Sequence, residues 1–532
     1  MAVMVQQCLS VPLGDALPDD VHAVSVSMPE WRHVELYEQG CPELHASLRS
    51  GYPRFVYHAY VKAVNEWCWE KYVKDPSKLA YVLPTHAVAK RCEAFLLATF
   101  PGPIPLIDLH ISGAFAIVVP VEAVRYFKSF WQHSGEILSS RMALHILQFK
   151  DQTSPGRAAK AMDGTAAHAA LRDRVASLYP LVTPRDVFLY PCGMAAIFAA
   201  FRVVQKLKTN QAQVVLFGFP YLDTLKMMRR TEWSSGDVLF YPNGSDADLQ
   251  ELEKLDSIAA IFTEFPTNPL LHSADLKRLA DIAHRHNTVL VVDDTIGSYN
   301  VQVLEAGVDL VATSLTKIFT GAGTAMGGSL VVNPASHWHT SLLAEYAADS
   351  FIFEDDCVEI LDASTVLSFQ PIITLDVRQI RDVRDRIERV NASASVIASR
   401  FAAHPQVQTV YYPKMIDTAQ YSANLTHHDA TTDAFGPLMS VVLHGGESTA
   451  KAFYNALGFA KGPSLGTNFT LSCPYTLLAH YDELDYVESC GVDRNLIRIS
   501  IGLEHVEEIW GHMDVALRAA TEAAVDARPV VE

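Results

Sequence analysis

Short apolar strands alternate with helices between residues 166 and 335, and this alternation restricts the possible folds more than any other feature of the sequence. The stretch at 186–207, "DVFLYPCGMAAIFAAFRVVQKL", predicts a strand, a tight turn and an apolar helix, and residues 213–228 repeat that order. Strands that alternate with helices are typical of a mostly parallel α/β sheet. In such sheets ligands bind beyond the carboxyl ends of the strands. The sequence therefore predicts a binding site along one edge of this sheet.

The remaining chain suggests further regions on both sides of this sheet. Residues 1–25 are rich in Pro, Asp and Gly and are expected to be disordered. Residues 26–165 are interpreted as an N-terminal arm and extension, and residues 166–335 as the large domain. Residues 336–532, which include the strand-like runs "LMSVVLHGG" and "NLIRISIGLE", predict a smaller C-terminal α+β domain. A chain of 532 residues exceeds the size of a single core, which agrees with several domains.

Charge and cysteine content exclude several classes of protein. The formal net charge of −18 argues against general nucleic-acid binding, which needs a basic face. The eight cysteines show no C-x-x-C spacing, so neither a disulfide framework nor a metal site is predicted, and reduced thiols suit the cytoplasm. No signal peptide is recognised, and the longest apolar run, "AFAIVVPVEAV", is too short to span a bilayer. We therefore expect a cytoplasmic protein without nucleic-acid or membrane partners.

A lysine inside an almost uncharged tract, "VATSLTKIFTGAGTAMGG" at 311–328, is the first candidate for chemistry. Lys317 follows a predicted strand and has two interpretations. It is either a surface lysine with a buried stem or an amine that loses its hydration, has a lowered pKa and forms a Schiff base with an aldehyde. Ser314 and Thr316 beside it offer hydroxyl groups that could hold a phosphate. This fragment alone does not decide between the two interpretations.

Other strand ends carry residues that suit a phosphorylated aldehyde cofactor. Asp293 ends the apolar run "TVLVVD", where a carboxylate is costly unless paired, and a protonated pyridine nitrogen is one such partner. The alternative is that Asp293 and Asp294 bind a metal or cap the next helix. Gly193 and Met194 form a strand-to-helix turn whose backbone amides suit a phosphate.

An aromatic residue and an amide complete the pattern. Tyr221 in "FGFPYLDTL" could lie on a flat cofactor, although a lone aromatic is often a packing residue. Asn268 lies between two prolines in "FPTNP", a rigid loop that would fix its amide, or simply a turn. The order of phosphate turn, Tyr, Asn, Asp and Lys on successive strand ends favours Lys317 as the lysine that binds the aldehyde.

Several motifs resemble those of the Cys/Met-metabolism enzymes that use pyridoxal phosphate. They are "SLTK", "TEFPTNPLL", "VVDDT" and "LIRISIGLE". The similarity is closest to the fungal cystathionine γ-synthase branch and extends from "HAVSVSMPEW" and "SGYPRFVYH" to "CPYTLLAHYDEL". The resemblance implies an enzyme of fold type I, similar to aspartate aminotransferase, with a seven-stranded sheet and pyridoxal 5'-phosphate as cofactor.

The resemblance also implies roles for residues that bind the cofactor. Lys317 would carry it and move protons, Asp293 would pair with the ring nitrogen, and Asn268 would bond the 3′ oxygen. Tyr221 would stack on the ring and assist acid–base steps. The residues implied to hold the phosphate are Gly193, Met194, Ser314 and Thr316.

Further implied roles concern the substrate and a second subunit. Arg498 in "LIRIS" would grip the α-carboxylate of an amino-acid substrate, and Ser464 would lie in the loop that lines it. The Tyr-x-Arg element, Tyr52 and Arg54, would reach the phosphate of a neighbouring subunit. The resemblance therefore implies a homo-oligomer built from dimers, with a tetramer expected.

The reaction implied by the resemblance is γ-replacement on O-acetyl- or O-succinylhomoserine, with cysteine as acceptor and cystathionine as product in methionine biosynthesis. Two departures leave the acceptor open. Pro463 stands where bacterial members carry a Glu that meets the amine of the acceptor, and residues 322–324 read Ala-Gly-Thr instead of His-Ser-Asp. The alternatives are a different carbon, nitrogen or sulfur nucleophile in a fungal secondary-metabolite pathway, a cystathionine C–S lyase, and, least expected, an inactive scaffold.

Overall fold

The computed structural model describes residues 11–151, 165–207, 213–234, 238–365, 383–426 and 433–526. The first ten residues of the predicted disordered segment therefore lie outside the described residues. Within the described part of the chain, no helix is both long and apolar enough to cross a membrane.

The N-terminal part folds onto the rest of the chain. Its first elements are β1 (Ala16–Leu17), β2 (Ser25–Val26), α1 (Trp31–Glu38) and α2 (Pro42–Ser47). Strand β1 pairs antiparallel with β2, and the side chain of Leu17 is fully buried in a cluster with Ala460, Phe469 and Leu471. The expectation of disorder over residues 1–25 is thus wrong for residues 16–25, because their apolar side chains pack against the C-terminal part of the chain.

An extension with its own small sheet follows this segment. Its elements are α3 (Ala59–Cys68), β3 (Lys78–Leu83), α4 (His86–Thr99), β4 (Leu106–Asp108), β5 (Phe115–Pro120), α5 (Val124–Ser134) and α6 (Ser140–Phe149). The three strands form an antiparallel sheet in the order β3-β5-β4. Apolar side chains of the extension share one core with helix residues 193–207 of the next region, so the two regions pack closely.

A seven-stranded sheet forms the centre of the molecule. Its strands and helices are α7 (Ala166–Ala176), β6 (Val187–Tyr190), α8 (Gly193–Leu207), β7 (Gln213–Phe217), α9 (Leu222–Met228), β8 (Val238–Tyr241), α10 (Asp246–Leu252), β9 (Ile258–Glu264), α11 (Leu276–Arg285), β10 (Leu290–Asp293), β11 (Leu310–Ser314) and β12 (Gly328–Val332). The strand order is β6-β12-β11-β10-β9-β7-β8. Strands β7 to β11 pair in parallel, and β12 runs antiparallel to both neighbours.

The sequence of these strands explains their position. Strand β9 is buried at all seven positions, as expected where helices cover both faces of a parallel sheet. Helix α8 starts at Gly193, directly after β6, and its first eight residues are all buried. The predicted α/β class with a mostly parallel sheet of seven strands is confirmed.

The C-terminal part contains a second, five-stranded sheet in the order β13-β14-β17-β16-β15. Its elements are α12 (His339–Ala347), α13 (Glu354–Thr365), α14 (Val383–Ala402), β13 (Val407–Tyr411), α15 (Thr418–Ser422), β14 (Leu438–Leu443), α16 (Glu447–Ala456), β15 (Ala460–Lys461), β16 (Leu471–Cys473), α17 (Tyr475–His480), α18 (Leu484–Ser489), β17 (Ile497–Ser500) and α19 (Val506–Asp526). The domain boundaries at 165 and 335 stay predictions.

Candidate active site

A cavity of about 510 Å³ lies where the carboxyl ends of β9, β10 and β11 meet the N-terminal segment and the five-stranded sheet. Its volume is in the range of sites for small molecules and cofactors. The predicted site residues that line it are Tyr52, Arg54, Gly193, Met194, Tyr221, Asn268, Asp293, Ser314, Lys317, Ser464 and Arg498. The structure therefore brings together residues that span more than 440 positions of the sequence, and Thr316 is the exception among the predicted set.

Lys317 follows the end of β11, in a short helical turn at Leu315–Phe319. Its Nζ donates a hydrogen bond of 2.7 Å to Ser464 Oγ and lies 4.3 Å from the centroid of the Tyr52 ring. Burial lowers the pKa of Lys317 well below its ordinary value, and the positive charges of Arg498 and Arg54 lower it further. The neutral amine is the nucleophilic form of a lysine, so this side chain is suited to react with an aldehyde.

Asp293 and Asp294 are adjacent in sequence but have different surroundings. Asp293 lines the cavity, and its Oδ1 accepts a hydrogen bond of 3.0 Å from the backbone N–H of Thr295. Asp294 is fully buried and accepts hydrogen bonds from the hydroxyl groups of Tyr179, at 2.6 Å, and Thr313. The two carboxylates therefore do not share one ligand, and Asp293 is the one that a bound molecule can reach.

A second carboxylate lies beside Asp293. The strand register pairs Asp293 with Glu264 at the end of β9. Burial raises the pKa of Asp293, although bonds from Thr295 oppose this. Burial raises the pKa of Glu264 well above its usual range, and the negative charge of Asp293 adds to this rise. A buried pair of carboxyl groups is stabilised by a cation between or beside them, and a protonated pyridine ring supplies such a charge.

Arg498 projects from β17 into the same cavity. Its Nη1 donates to Asn268 Oδ1 at 3.0 Å, and its Nη2 donates to the Ser464 carbonyl at 2.8 Å. The guanidinium carbon lies 4.5 Å from the centroid of the Tyr475 ring, whose hydroxyl accepts a hydrogen bond of 3.0 Å from Asn268 Nδ2. These contacts fix the orientation of a planar, bidentate donor of the kind that binds carboxylates.

Ser464 connects the lysine and the arginine. Its hydroxyl contacts Lys317 and its carbonyl contacts Arg498. Its backbone has a φ of 92°, a value that residues other than glycine rarely adopt. Strained conformations of this kind occur at functional sites when surrounding contacts hold them in place.

The turn before α8 has the features of an anion site. A Cβ atom at Gly193 would lie 2.7 Å from Ser314 Cβ, so this position requires glycine. The buried Ser314 hydroxyl has no hydrogen-bond partner among the described residues. An unpaired buried hydroxyl beside the start of a helix fits a phosphate group, so the residues present fit a phosphorylated pyridine aldehyde.

Thr316 does not line the cavity. Its Oγ1 accepts a hydrogen bond of 3.0 Å from the backbone N–H of Gly327. The chain turns after Ser314, so the two hydroxyl groups separate, and that of Thr316 holds the turn at Met326–Gly327. The phosphate contact implied for Thr316 therefore stays a prediction.

Tyr52 and Arg54 lie in the cavity of their own chain. Arg54 Nη1 donates to Asp223 Oδ2 and to the Gln132 carbonyl, both at 2.6 Å, and its Nη2 donates to the Tyr221 hydroxyl. Burial raises the pKa of Tyr221 well above its usual range, so this hydroxyl keeps its proton. These contacts hold Arg54 at the cavity of its own chain, and the implied reach of Tyr52 and Arg54 to the phosphate of a neighbouring subunit stays a prediction.

Sequence reasoning missed several residues of the cavity. Glu264, whose Oε2 accepts a hydrogen bond of 2.8 Å from the Tyr221 backbone N–H, ends an apolar strand exactly as Asp293 does, so the same signal was present. Tyr475 and Asp223 carried no comparable signal. The more exposed end of the cavity is lined by Tyr37, Glu38, His45, Phe55, Tyr481 and Asp482.

The fold and this cavity define a fold type I enzyme domain that binds pyridoxal phosphate. Residues 159–518 match the family model described as "Cys/Met metabolism PLP-dependent enzyme", and residues 60–139 match the model described as "Fungal trans-sulfuration enzyme, N-terminal domain". The chain belongs to the Cys/Met-metabolism family of PLP-dependent enzymes, and its cofactor is pyridoxal 5'-phosphate.

Individual relatives cover nearly the whole chain. The chain is 33% identical to a cystathionine gamma-synthase of Neurospora crassa, over 96% of this chain and 98% of that protein. It is 31% identical to the cystathionine gamma-synthase-like enzyme iboG2 of Amanita muscaria, over 98% of both chains. A crystal structure of cystathionine gamma synthase from Xanthomonas oryzae in complex with cystathionine has the same fold, with a TM-score of 0.56 and 22% identity over 68% of this chain and 87% of that chain.

Proposed function

We propose that this enzyme catalyses γ-replacement on an O-acylhomoserine, either the O-acetyl or the O-succinyl ester, with cysteine as acceptor and cystathionine as product. The observation that carries the proposal is the position of Ser464 between Lys317 and Arg498. An amino acid whose carboxylate is bound by Arg498 has its α-carbon close to the Lys317 amine, because both groups contact the same residue. The cysteine acceptor is supported by the relatives named as cystathionine gamma-synthases.

In this proposal each side chain has one task. Pyridoxal phosphate supplies an electron-withdrawing ring that stabilises negative charge on the bound amino acid. Asp293 would hold the positive charge on the ring nitrogen, while Tyr221 and Asn268 would position the ring. Gly193, Met194 and Ser314 would hold the phosphate, and we propose that Tyr52 and Arg54 complete its site.

Lys317 acts as the proton carrier. It removes a proton from the α-carbon of the substrate and then one from the β-carbon, and the acyloxy group leaves from the γ-carbon. The acceptor sulfur then adds at the γ-carbon, its own proton is released, and protons return to the β- and α-carbons. A neutral amine is required for the first step, in agreement with the lowered pKa of Lys317.

A second candidate keeps the donor and changes the acceptor to another carbon, nitrogen or sulfur nucleophile of secondary metabolism. The observation that favours it is Pro463, which lines the cavity and offers no carboxylate to the amine of cysteine. The Pro463 carbonyl accepts a hydrogen bond from the Ser25 hydroxyl, so the N-terminal segment holds this loop in place.

Product identification tests both candidates. The purified holoenzyme is incubated with O-acetyl- or O-succinylhomoserine and, in turn, with cysteine and with a panel of amine, thiol and carbon nucleophiles, and products are identified by mass spectrometry. Cystathionine formation supports the first proposal, and reaction with another acceptor alone supports the second. Cleavage of added cystathionine without replacement would indicate a C–S lyase, and no turnover by the loaded protein would indicate a scaffold. We also propose that the protein is a cytoplasmic homotetramer, because the family that its motifs resemble implies this.

A further inference from the structure

A buried arginine, Arg386, contacts the chain directly after Lys317 and does not line the cavity. We propose that Arg386 is a positioning residue, which joins the turn that carries Lys317 to the loop that carries Ser464 and thereby sets where the Lys317 amine stands. The expected effect on turnover rests on the proposed function. The expected effect on attachment of the cofactor rests only on the family to which the chain belongs.

The turn that carries Lys317, residues 315–321 and here called the lysine turn, is not a regular helix. Lys317 has a φ of −91° and a ψ of −123°, whereas a residue in a regular helix has a ψ of about −42°. The direction in which the Lys317 side chain leaves the backbone therefore depends on contacts with other elements as well as on hydrogen bonds within the turn.

Arg386 supplies such contacts from helix α14. It is 4% exposed, and its Nη2 donates to the carbonyl groups of Ile318, at 2.6 Å, and Phe319, at 3.0 Å. Burial lowers the pKa of Arg386 to about 10, so the guanidinium group stays charged at neutral pH. Hydrogen bonds from a charged donor are stronger than those between neutral groups, so Arg386 holds the two residues that follow Lys317.

The same guanidinium group reaches the Ser464 loop, defined here as residues 464–468. Its Nη1 donates to Asn468 Oδ1 at 3.0 Å, and the Asn468 backbone N–H donates to the Gly321 carbonyl at 2.7 Å. One side chain thus bonds both the lysine turn and the loop whose Ser464 hydroxyl accepts a hydrogen bond from Lys317 Nζ. Because the guanidinium fork is planar and rigid, it fixes the spacing between the two segments.

Two glycines show how closely these segments pack. A Cβ atom at Gly321 would overlap Arg386 Nη1, and a Cβ atom at Gly466 would lie 2.6 Å from the Ile318 backbone nitrogen. Their φ angles of 66° and 72° also favour glycine. Since the lysine turn lies directly against both Arg386 and the Ser464 loop, a change at position 386 should alter the contact between Lys317 and Ser464.

The first test follows attachment of the cofactor and needs no substrate. Pyridoxal phosphate is added at saturating concentration to the apo-protein, and the rate at which the visible absorbance of the lysine-bound cofactor appears is measured. Arg386→Met removes the hydrogen bonds to the lysine turn and to Asn468, so this rate should fall by about 10-fold, because misplacement of a reacting atom by about 1 Å can cost up to about 100-fold. The final absorbance should equal that of wild type. An unchanged rate would overturn the proposal.

The second test separates proton transfer from binding of the donor. Release of the acyl group from an O-acylhomoserine should show a kcat lowered by about 10- to 100-fold in Arg386→Met and an unchanged KM, because the contacts of Arg498 stay in place. A donor deuterated at the α-carbon should show a larger isotope effect on kcat in the variant than in wild type, since proton removal by Lys317 is the step that is slowed. A raised KM with an unchanged kcat would overturn the proposal.

The two tests also distinguish this inference from the proposed function. If the wild-type holoenzyme releases no acyl group, the proposed function fails, and the rate of cofactor attachment alone then decides on the role of Arg386.

A residue at the far end of the same helix is the matched control. The Phe401 ring lies 6.2 Å from that of Phe453 and 5.7 Å from that of Trp510, and it is about 22 Å further along α14 than Arg386. Phe401→Leu should lower Tm but leave the attachment rate and kcat at their wild-type values. Equal slowing by Phe401→Leu and Arg386→Met would show general destabilisation and overturn the proposal.

Two further variants keep the proposal testable if Arg386→Met does not fold. Arg386→Lys keeps the charge but cannot donate to both the lysine turn and Asn468, and it should slow attachment of the cofactor. Asn468→Ala removes the amide that joins Arg386 to the Ser464 loop and should act in the same direction. Because both changes break one link, the double variant should lose little more than Arg386→Lys alone. Fully additive losses would show that the two residues act independently and would overturn the proposal.

Discussion

Lys317, Asp293 and Arg498 form the inner end of the cavity, whereas Tyr37, Glu38 and the turn at 481–482 form its outer end. The inner residues lie on strands or directly after them. The outer residues come from the last turn of α1 and from the segment that follows α17, which are more than 400 positions apart. The inner end is thus fixed by the sheets, and the outer end by packing between distant helices.

This difference separates two parts of the chemistry. In the proposed reaction the inner end would act on the amino-acid donor, because it contains the Lys317 amine, the Asp293 carboxylate and the Arg498 guanidinium. We propose that the outer end, which contains acidic and aromatic side chains, selects the acceptor. Burial and the nearby charge of Asp482 raise the pKa of Glu38 to about 8. Changes at the inner end should therefore affect every reaction, whereas changes at the outer end should affect the choice of acceptor.

The largest effect is expected for Lys317→Ala at the inner end. Loss of the proton carrier and of the covalent link to the cofactor should lower kcat by at least about 10³-fold. The visible absorbance of lysine-bound pyridoxal phosphate should disappear. Both are measured on the purified variant, with release of the acyl group from O-acetylhomoserine as the assay.

A second lysine offers a matched control for this variant. Lys461 is 4% exposed, has a pKa lowered to about 8 by burial, and donates to the carbonyl groups of Tyr454 and Asn455 outside the cavity. Lys461→Met should lower Tm and keep the absorbance. An Lys317→Ala variant that keeps the absorbance would contradict the inner-end assignment.

Adjacent carboxylates give the next largest effect. Asp293→Asn removes the negative charge opposite the ring nitrogen and should lower kcat by about 10²-fold, the size seen when one electrostatic partner of a reaction is removed. Asp294→Asn should instead lower Tm, because this residue bonds Tyr179 and Thr313 in the core. Steady-state rates and thermal unfolding of both variants test whether Asp293 serves the reaction and Asp294 serves stability. A larger loss of kcat for Asp294→Asn than for Asp293→Asn would contradict this assignment.

The inner end was largely predictable from sequence, for physical reasons. Lys317 and Asp293 stand out because charged residues that end apolar strands need partners, and parallel strands bring their ends to one edge. Glu264 satisfied the same criterion and could have been found. Thr316 does not line the cavity, because its proximity in sequence to Ser314 does not survive the turn after β11. The separation of these two hydroxyl groups depends on local backbone geometry.

The outer end could not be predicted from local patterns. Glu38 lies on an ordinary surface helix in the sequence, and only its packing near Asp482 gives it an unusual environment. The place of Arg54 in the cavity depends on contacts with Gln132 and Asp223, which no motif marks. Contacts of this kind form between elements that are distant in sequence and require the folded chain.

A smaller effect at the inner end is expected for Arg498→Lys. A lysine keeps the charge but cannot make two parallel hydrogen bonds to a carboxylate, so KM for the donor should rise by about 10-fold with a smaller change in kcat. Initial rates over a range of O-acetylhomoserine concentrations measure both. Arg494→Lys, at an exposed ion pair with Glu488, is the control and should change neither. If KM for the acceptor rises instead, the division between the two ends is wrong.

The smallest effect is expected for Glu38→Gln at the outer end. In the folded protein Glu38 has a pKa of about 8, above its ordinary value of 4.5, so the folded state retains a proton that the unfolded state has released between these values. The free energy of unfolding therefore falls as pH rises from about 4.5 to 8. Glu38→Gln removes this contribution, and the variant should gain about 1 kcal/mol relative to wild type between pH 5 and pH 9, after allowance for solvent screening.

Two measurements on Glu38→Gln test how far the outer end is independent of the inner end. Urea unfolding at pH 5, 7 and 9 gives the difference in free energy of unfolding between variant and wild type, which should grow with pH. A difference that stays the same at all three pH values would show that Glu38 has an ordinary pKa. Acyl-group release without acceptor should stay at the wild-type rate, whereas KM for the acceptor should change by a few-fold above pH 8, where the wild-type carboxylate is charged. Asp482→Asn should shift the transition of Glu38 to lower pH, because it removes the neighbouring negative charge that Glu38 experiences. If Glu38→Gln slows acyl release and acceptor addition equally, the cavity acts as one unit, because a group at the outer end then influences proton transfer at Lys317.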